Sequence, residues 1–341
     1  MEKNIAVVGV GAVGIEILKI LKERKFPADK IRIFARTSRE IELDKQTYQV
    51  EAIGEENFDN IDIALFAGTE GEKGASVQYA HKFIEKGAVV IDNGKDFRLQ
   101  ENVPLVVPEI NKDKISSNQG LIANPNCTTI QMVVALGQIF KNFGLDKIVM
   151  TSLQATSGGG RNSAQSLWDE TKYIVEKNKD QKYFSQINKD RDNIKSSFAN
   201  QIAFNAIPQI GGFNQDGFTS EEQKVVDETH KIYGNNKIKI SATCVRIPVF
   251  TSHSESIYFK TSQPADLGQL QKVLKNSEGV VFFDDHSTYP LALDAEGKDP
   301  VYVGRLRRDP SQENSFWLWA VSDNLRKGAA LNAVQIAENL L

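Results

Sequence analysis

Residues 4–21 read Asn-Ile-Ala-Val-Val-Gly-Val-Gly-Ala-Val-Gly-Ile-Glu-Ile-Leu-Lys-Ile-Leu. The first half is a short unbroken apolar run, as expected of a strand buried on both faces of a parallel sheet. Gly9, Gly11 and Gly14 follow as G-x-G-x-x-G, and from Ile15 the apolar spacing becomes helical. Strand, glycine turn and helix in that order form the phosphate-binding turn of a dinucleotide site, with Ala12 and Val13 inside the turn. The competing reading is a tight strand-to-helix turn with no ligand.

The pattern repeats downstream. Ile31–Ala35, Asp62–Ala67 and Ala88–Ile91 are further apolar runs, and Ala75–Lys86 has a helical rhythm. Strands alternating with helices to about residue 95 predict a doubly wound parallel sheet, with ligands beyond the carboxyl ends of the strands. The second strand runs into Arg36-Thr37-Ser38-Arg39. An NAD site usually has Asp or Glu near there, whereas two arginines and two hydroxyls suit a 2′-phosphate and favour NADP. A solvated basic loop is the other reading, and Glu40 counts against the phosphate. Arg98 lies near the predicted mouth of the sheet, where it could hold an anion.

Asn124-Pro-Asn-Cys127-Thr-Thr opens a second chemical region. Pro125 disfavours helix at Asn124, Asn126 is a good N-cap, and Ile130, Val133, Val134 and Phe140 continue at helical spacing. Cys127 then falls in the first helical turn, where the helix dipole favours a thiolate. It could equally be a small buried residue filling a gap. Ile148–Ala155 reads as a strand entering Thr156-Ser-Gly-Gly-Gly160, whose glycines would leave N–H groups free for a ligand. The charged stretch from Ser163 to about Asn200 reads as a solvated arm. Phe204–Phe218 is loop, and Thr219 or Ser220 caps a helix with Glu221 and Lys224 on one face. Lys237–Thr261 is rich in β-formers yet embeds Arg246 and His253, which is unusual unless they are paired or face a cleft. Two more strands, Val301–Arg307 and Phe316–Val321, precede a closing amphipathic helix, Leu325–Leu341.

The chain has 341 residues, enough for two domains. A net charge of −3 gives no reason to expect nucleic acid or an anionic membrane as partner. Cys127 and Cys244 are the two cysteines, which is no disulfide framework and suits a reducing, cytoplasmic setting. The N-terminus lacks the pattern of a signal peptide, and no apolar run is long enough to span a membrane.

Taken together, these segments resemble the aspartate-semialdehyde dehydrogenase family. The resemblance rests on Asn124–Thr129, Gln154-Ala-Thr-Ser-Gly158, Cys244-Val-Arg-Ile-Pro-Val-Phe-Thr-Ser-His253-Ser-Glu-Ser, Val303-Gly-Arg-Leu-Arg307 and Ser322-Asp-Asn324-Leu, and runs from about residue 4 to the end. It implies a Rossmann-type NADP-binding domain over 1–125, an α+β catalytic and dimerisation domain over 126–321, and a terminal helix, 322–341, returning to the first domain. It implies reversible NADP- and phosphate-dependent conversion of L-aspartate 4-semialdehyde to 4-aspartyl phosphate, on the route to lysine, methionine and threonine, by a homodimer without a metal. By resemblance Cys127 is the nucleophile, His253 the acid–base group and Gln154 the orienting amide. Arg246 would hold the substrate carboxylate and Glu221 its ammonium. Arg98, Lys224 and Asn126 would meet phosphate. Gly9, Gly11, Ala12, Val13, Gly14, Arg36, Thr37, Ser38, Arg39, Ser157, Gly158 and Asn324 would line the cofactor. The glycine loop is one residue shorter than the family's common G-x-x-G-x-x-G. Gly68–Gly74 and Arg36–Arg39 also depart from its usual wording, and all three departures touch the cofactor. Related acyl-phosphate reductases acting on N-acetylglutamyl phosphate or glyceraldehyde 3-phosphate are the neighbouring alternatives. A catalytically silent nucleotide-binding sensor is the alternative from another class.

Overall fold

The computed structural model describes residues 2–54, 58–180, 194–285 and 287–341. Its first half comprises β1 (Lys3–Val8), α1 (Ala12–Glu23), β2 (Ala28–Ala35), β3 (Arg39–Leu43), β4 (Gln46–Ala52), β5 (Ile63–Phe66), α2 (Ala75–Glu85), β6 (Val89–Asp92), α3 (Pro108–Asn111) and β7 (Leu121–Ala123). These strands form one sheet in the order β3-β4-β2-β1-β5-β6-β7, parallel except for the β3–β4 pair. Alternate residues of β1 serve opposite cores. Ile5 and Val7 pack with α1, while Ala6 and Val8 join Phe34, Phe66 and Phe83 on the α2 side. That two-sided burial is why the run showed no polar alternation.

One expectation needs correcting. Between β2 and β5 the chain makes the β3–β4 hairpin, turning at Asp44 and Lys45, both at positive φ. The strict strand–helix alternation therefore fails there, and Arg39 opens a strand instead of lying in a loop. The hairpin strands are half-exposed and mixed in polarity, so neither period was readable in them.

The second half contains α4 (Cys127–Phe143), β8 (Leu145–Gln154), α5 (Arg161–Lys177), α6 (Ser220–Tyr233), β9 (Lys239–Arg246), β10 (His253–Thr261), α7 (Leu267–Lys275), β11 (Val280–Phe282), α8 (Ala292–Ala295), β12 (Val301–Arg308), β13 (Ser315–Ser322) and α9 (Leu331–Glu338). Its sheet runs β11-β12-β13-β10-β8-β9 and mixes parallel and antiparallel pairs. Helix α4 lies on one face of it. Ile130, Met132, Val133, Leu136 and Ile139 pack with Ile148, Met150, Ile257, Phe259, Phe316 and Leu318 in one core. Cys244 is fully buried in the same core. Part of the charged arm expected after Ser163 is α5; residues 181–193 of it lie outside the described residues.

The closing helix does not begin as one α-helix. Residues 326–330 form a wider turn in which the N–H of Ala330 bonds the Leu325 carbonyl and that of Gly328 bonds Asp323. Such π-turns recur at functional sites. Only then does α9 begin, and its Leu331, Val334 and Ile336 pack with Ile17, Leu18 and Leu21 of α1. The terminal helix thus returns to the first sheet. Lys327, 1% exposed, gives its ammonium to both Glu109 oxygens at 2.7 Å, to Asn332 at 2.9 Å and to Gln335 at 2.7 Å. Four acceptors around one buried cation meet the condition for tolerating it there.

Glu255 on β10 is a buried carboxyl of the opposite kind. It is fully buried and neither oxygen has a hydrogen-bond partner. Burial holds its pKa well above the ordinary carboxyl range. The folded state therefore keeps a proton that the unfolded chain releases above about pH 4.3, and stability falls as pH rises beyond that point. Glu255→Gln should raise the urea midpoint at about pH 8 by an amount equivalent to about 1 kcal/mol or more, and the gain should vanish near pH 4. Equal midpoint shifts at both pH values would contradict the account.

Candidate active site

The glycine turn sits where the first sheet changes winding direction, between β1 and β5. Gly9 has φ +105°, and a Cβ there would lie 2.6 Å from the Ala67 carbonyl oxygen. A Cβ on Gly14 would meet the Gly9 carbonyl oxygen at 1.9 Å, so strand and helix can close this tightly only with glycine at both positions. Gly11 precedes α1 and has open space where a side chain would project. The first-turn N–H groups of α1 face the same cleft wall formed by Gly11, Ala12 and Val13. This turn fits a dinucleotide pyrophosphate.

The cleft, about 520 Å³, continues from this turn to the end of the second sheet. Cys127 lies in it at the start of α4. The Asn126 side chain caps that helix, accepting from the N–H groups of Thr128 at 3.0 Å and Thr129 at 3.4 Å. The sulfur is 3.4 Å from Nε2 of His253, the first residue of β10. Although 126 positions separate the two residues in sequence, β8–β10 pairing and the seating of α4 on that sheet bring them together. The strand ends supply the remaining parts. Gln154 ends β8 and Arg246 ends β9, directly opposite each other in register.

Ala155 joins the strand ends. Its N–H donates to His253 Nδ1 at 3.1 Å, and its carbonyl accepts from Arg246 Nη1 at 2.6 Å. Glu221 accepts from Lys224 at 3.0 Å, from Asn126 Nδ2 at 3.0 Å and from Gln154 Nε2 at 3.4 Å. Gln154 Nε2 also donates to the hydroxyls of Thr128 and Ser152. Asn324 holds Ser157 and, through Oδ1, accepts from the N–H of Ser252 at 2.9 Å. Ser252 has φ +72° and immediately precedes His253.

The structure brings Gly11, Ala12, Val13, Arg98, Asn126, Cys127, Gln154, Ser157, Gly158, Glu221, Lys224, Arg246 and Asn324 to one cleft. Gly9 and Gly14 shape the turn behind it, and His253 backs the sulfur. Arg36, Thr37, Ser38 and Arg39 are exposed and do not line the cleft. Arg36 reaches it through Thr69, to which it donates at 3.2 Å. Arg39 turns onto Thr37, and Ser38 accepts from the Ala52 N–H. The glycines after Ser157 are less free than expected, since the N–H groups of Gly158 and Gly160 bond within a tight turn, to Ala155 and Ser157.

Sequence reasoning passed over Glu228. It is buried, pairs with Arg98 at 2.9 Å and accepts the Asn126 N–H at 2.6 Å. It lies seven positions after Glu221, hence on the same helical face, and that spacing was the available signal. Gly328 was also missed. A Cβ there would stand 2.8 Å from the Cys127 Cβ, so the π-turn seats its backbone against the thiol-bearing residue.

The expectation of an easily ionised thiol is reversed. Burial pushes the Cys127 thiol up to about 11, and Glu221 adds to this. Arg246, the Thr128 hydroxyl and Arg98 pull the other way. Burial, then Arg246, pushes His253 down to about 3, opposed by Glu221 and the Ser252 backbone. The position at the helix start does not outweigh loss of water around the sulfur. Both shifts favour the uncharged forms, thiol and neutral imidazole.

Residues 4–118 match the family model described as semialdehyde dehydrogenase, NAD binding domain, and residues 136–327 the one described as semialdehyde dehydrogenase, dimerisation domain. An aspartate-semialdehyde dehydrogenase of Aquifex aeolicus is 43% identical over 350 aligned positions, covering 100% of this chain and 98% of that protein. The chain belongs to the aspartate-semialdehyde dehydrogenase family. The family member from Bacillus subtilis is 42% identical, with 99% of this chain and 97% of that protein covered. Crystal structures of aspartate semialdehyde dehydrogenase II from Vibrio cholerae, one of them complexed with ASA, superpose with a TM-score of 0.91 at 39% identity. They cover 100% of this chain and 98% of theirs.

The thiol position can be tested directly. In the ligand-free enzyme, carboxyamidomethylation of Cys127 should accelerate about tenfold per pH unit from about pH 6 to about pH 10. A plateau beginning near neutrality would mean that the sulfur is already ionised at rest.

Proposed function

We propose that this chain catalyses the reversible, phosphate-dependent interconversion of L-aspartate 4-semialdehyde and 4-aspartyl phosphate, with NADP as hydride carrier. The observation that carries the reading is one sulfur, Cys127, 3.4 Å from an imidazole in a cleft that also presents Arg98, Lys224, Arg246 and Glu221. Full-length relatives named for the same semialdehyde support the substrate.

In this reading Cys127 carries the acyl group as a thioester, dividing one hard exchange into two easier ones. A bound nicotinamide supplies the hydride that takes the thioester to the aldehyde, or accepts it in reverse. Gly11, Ala12, Val13 and Gly14 hold its pyrophosphate, while Ser157, Gly158 and Asn324 hold the nicotinamide end. Arg246 offers a guanidinium to the substrate α-carboxylate, for which a planar fork is suited. Glu221 meets the α-ammonium, which an acetylated amine would not need. Arg98, Lys224 and the Asn126 amide take the phosphate. Gln154 orients the acyl group between Thr128 and Glu221, and His253 serves the sulfur and the oxygen that becomes charged.

The preference for NADP rests on Arg36 and Arg39, with Thr37 and Ser38 adding hydroxyls for a 2′-phosphate. The division of labour proposed is cofactor binding by 1–125, chemistry and dimerisation by 126–321, and closure by 322–341. The second part overlaps the model described as a dimerisation domain, which supports a homodimer. Among the described residues no helix is long and apolar enough to cross a membrane, and the two free thiols suit the reducing cytoplasm.

A spectrophotometric assay of aspartate semialdehyde oxidation with NADP and with NAD, with and without phosphate, tests the whole reading. Turnover should require phosphate and favour NADP. Cys127→Ser should lower kcat by about a thousandfold or more while leaving cofactor binding intact. Arg36→Ala should raise KM for NADP and leave KM for NAD nearly unchanged. Phosphate-dependent turnover surviving in Cys127→Ala would rule out the thioester.

A further inference from the structure

We infer that Glu70 sets the anion specificity of the phosphate subsite. Its carboxylate accepts the hydrogen of a protonated oxyanion, so hydrogen phosphate is taken, while sulfate, equal in charge and shape but without a hydrogen, is turned away. The inference deepens the function proposed above and rests on it for the place of the phosphate, at Arg98 and Lys224.

Glu70 belongs to the loop after β5, Gly68-Thr-Glu-Gly-Glu-Lys-Gly74. It lines the cleft together with Arg98 and Lys224. Its neighbours hold it there. Thr69 accepts from Arg36 at 3.2 Å, and the Gly71 N–H donates to the two carboxylate oxygens of Asp96 at 3.2 and 3.1 Å. Asp96 lies just before Arg98, whose Nη2 donates to the Asn93 carbonyl at 2.7 Å. The loop is thus fastened to the same segment that carries the guanidinium. These bonds leave the Glu70 carboxylate unspent. It stands 3.8 Å from Lys95 Nζ, too far for a hydrogen bond, and both of those side chains are half-exposed.

An acid here is the opposite of what holding an anion by charge alone would call for. Arg98 is already paired with Glu228 at 2.9 Å, and Lys224 with Glu221 at 3.0 Å. Burial works against both cations. Glu228 supports Arg98, Glu221 supports Lys224, and Glu70 adds its field to each. Lys95 apart, two cations therefore face three carboxylates around the subsite. Two of those carboxylates are committed. Glu221 accepts from Asn126 and Gln154 on one oxygen and from Lys224 on the other. Glu228 accepts from Arg98 on one and from the Asn126 N–H on the other. Glu70 is the one with acceptor capacity to offer a ligand.

A carboxylate can only accept. Against an oxyanion that carries no hydrogen it offers repulsion, and it gives up water with no bond in return. From hydrogen phosphate it accepts a short, charge-assisted bond, while Arg98, Lys224 and the Asn126 amide donate to the bare oxygens. Phosphate keeps at least one hydrogen at neutral pH and sulfate keeps none. Glu70 thus pairs attraction for the right ligand with repulsion of the wrong one, which is how specificity is gained without great affinity.

The test compares the two anions on the same full-length enzyme, in the semialdehyde oxidation assay with NADP at neutral pH and ionic strength held constant with chloride. In wild-type enzyme, sulfate should compete with phosphate, with a Ki about tenfold or more above the KM for phosphate. In Glu70→Gln, whose amide can donate to either anion, that ratio should fall by about tenfold. Glu72→Gln removes a charge from the same loop at an exposed position outside the cleft lining, and should leave the ratio at its wild-type value. An unchanged ratio in Glu70→Gln overturns the inference. If both anions tighten together, Glu70 acts only as bulk charge, and if neither moves, it does not face the subsite. An equal fall in Glu72→Gln overturns it too. Turnover by wild-type enzyme without phosphate would remove the subsite and the proposed function with it, whereas phosphate-dependent turnover with an unmoved ratio removes this inference alone.

Discussion

The residue on which the site depends is Ala155, whose side chain does nothing chemical. Its N–H and carbonyl bind His253 and Arg246 from opposite ends of one residue. This works because three strands end together. β8 is parallel to β9 and antiparallel to β10, with Gln154 level with Arg246 and Leu153 level with Ser254. A register slip of one residue on either partner would turn its functional side chain to the other face of the sheet. Precise placement of His253 and Arg246 is therefore inherited from strand pairing, which is stiff, and not from the loops beyond it.

Helix α4 brings the sulfur to meet them. Its apolar side chains occupy the second sheet's core, and its first turn lies under the carboxyl ends of the first sheet. The π-turn at 326–330 closes the same junction from the third direction, with Gly328 against Cys127 and Lys327 buried on Glu109. Cys127 is thus flanked by elements from both sheets and the terminal segment. The same burial pushes the Cys127 thiol up from its ordinary value. The charged groups around it are paired in advance: Arg98 with Glu228, Lys224 with Glu221. Each pair limits the cost of burying an ion while leaving its field in the cleft.

Much of this was legible in the amino-acid order. The G-x-G-x-x-G turn, the buried parallel strands and the Asn126 cap all follow from local rules, and local rules act within a few residues. The β3–β4 hairpin was not legible because its strands are half-exposed and carry no clean alternation. The π-turn was not legible because a single glycine, Gly328, within an otherwise helix-forming Arg326–Ala330 does not distinguish a π-turn from an α-helix. Glu228 carried no local signal beyond its spacing from Glu221, and only the approach of Arg98 and Asn126 from elsewhere gives it a role.

The residue types alone determined that a thiol, an imidazole, a carboxamide and a guanidinium were available, and that a dinucleotide turn preceded them. They could not decide how far burial shifts the thiol or which polar groups face the imidazole. Both are set by how much water surrounds a group and which backbone atom faces it. Those are properties of space between distant segments, and they came into being only when β8, β9, β10 and α4 closed on one another.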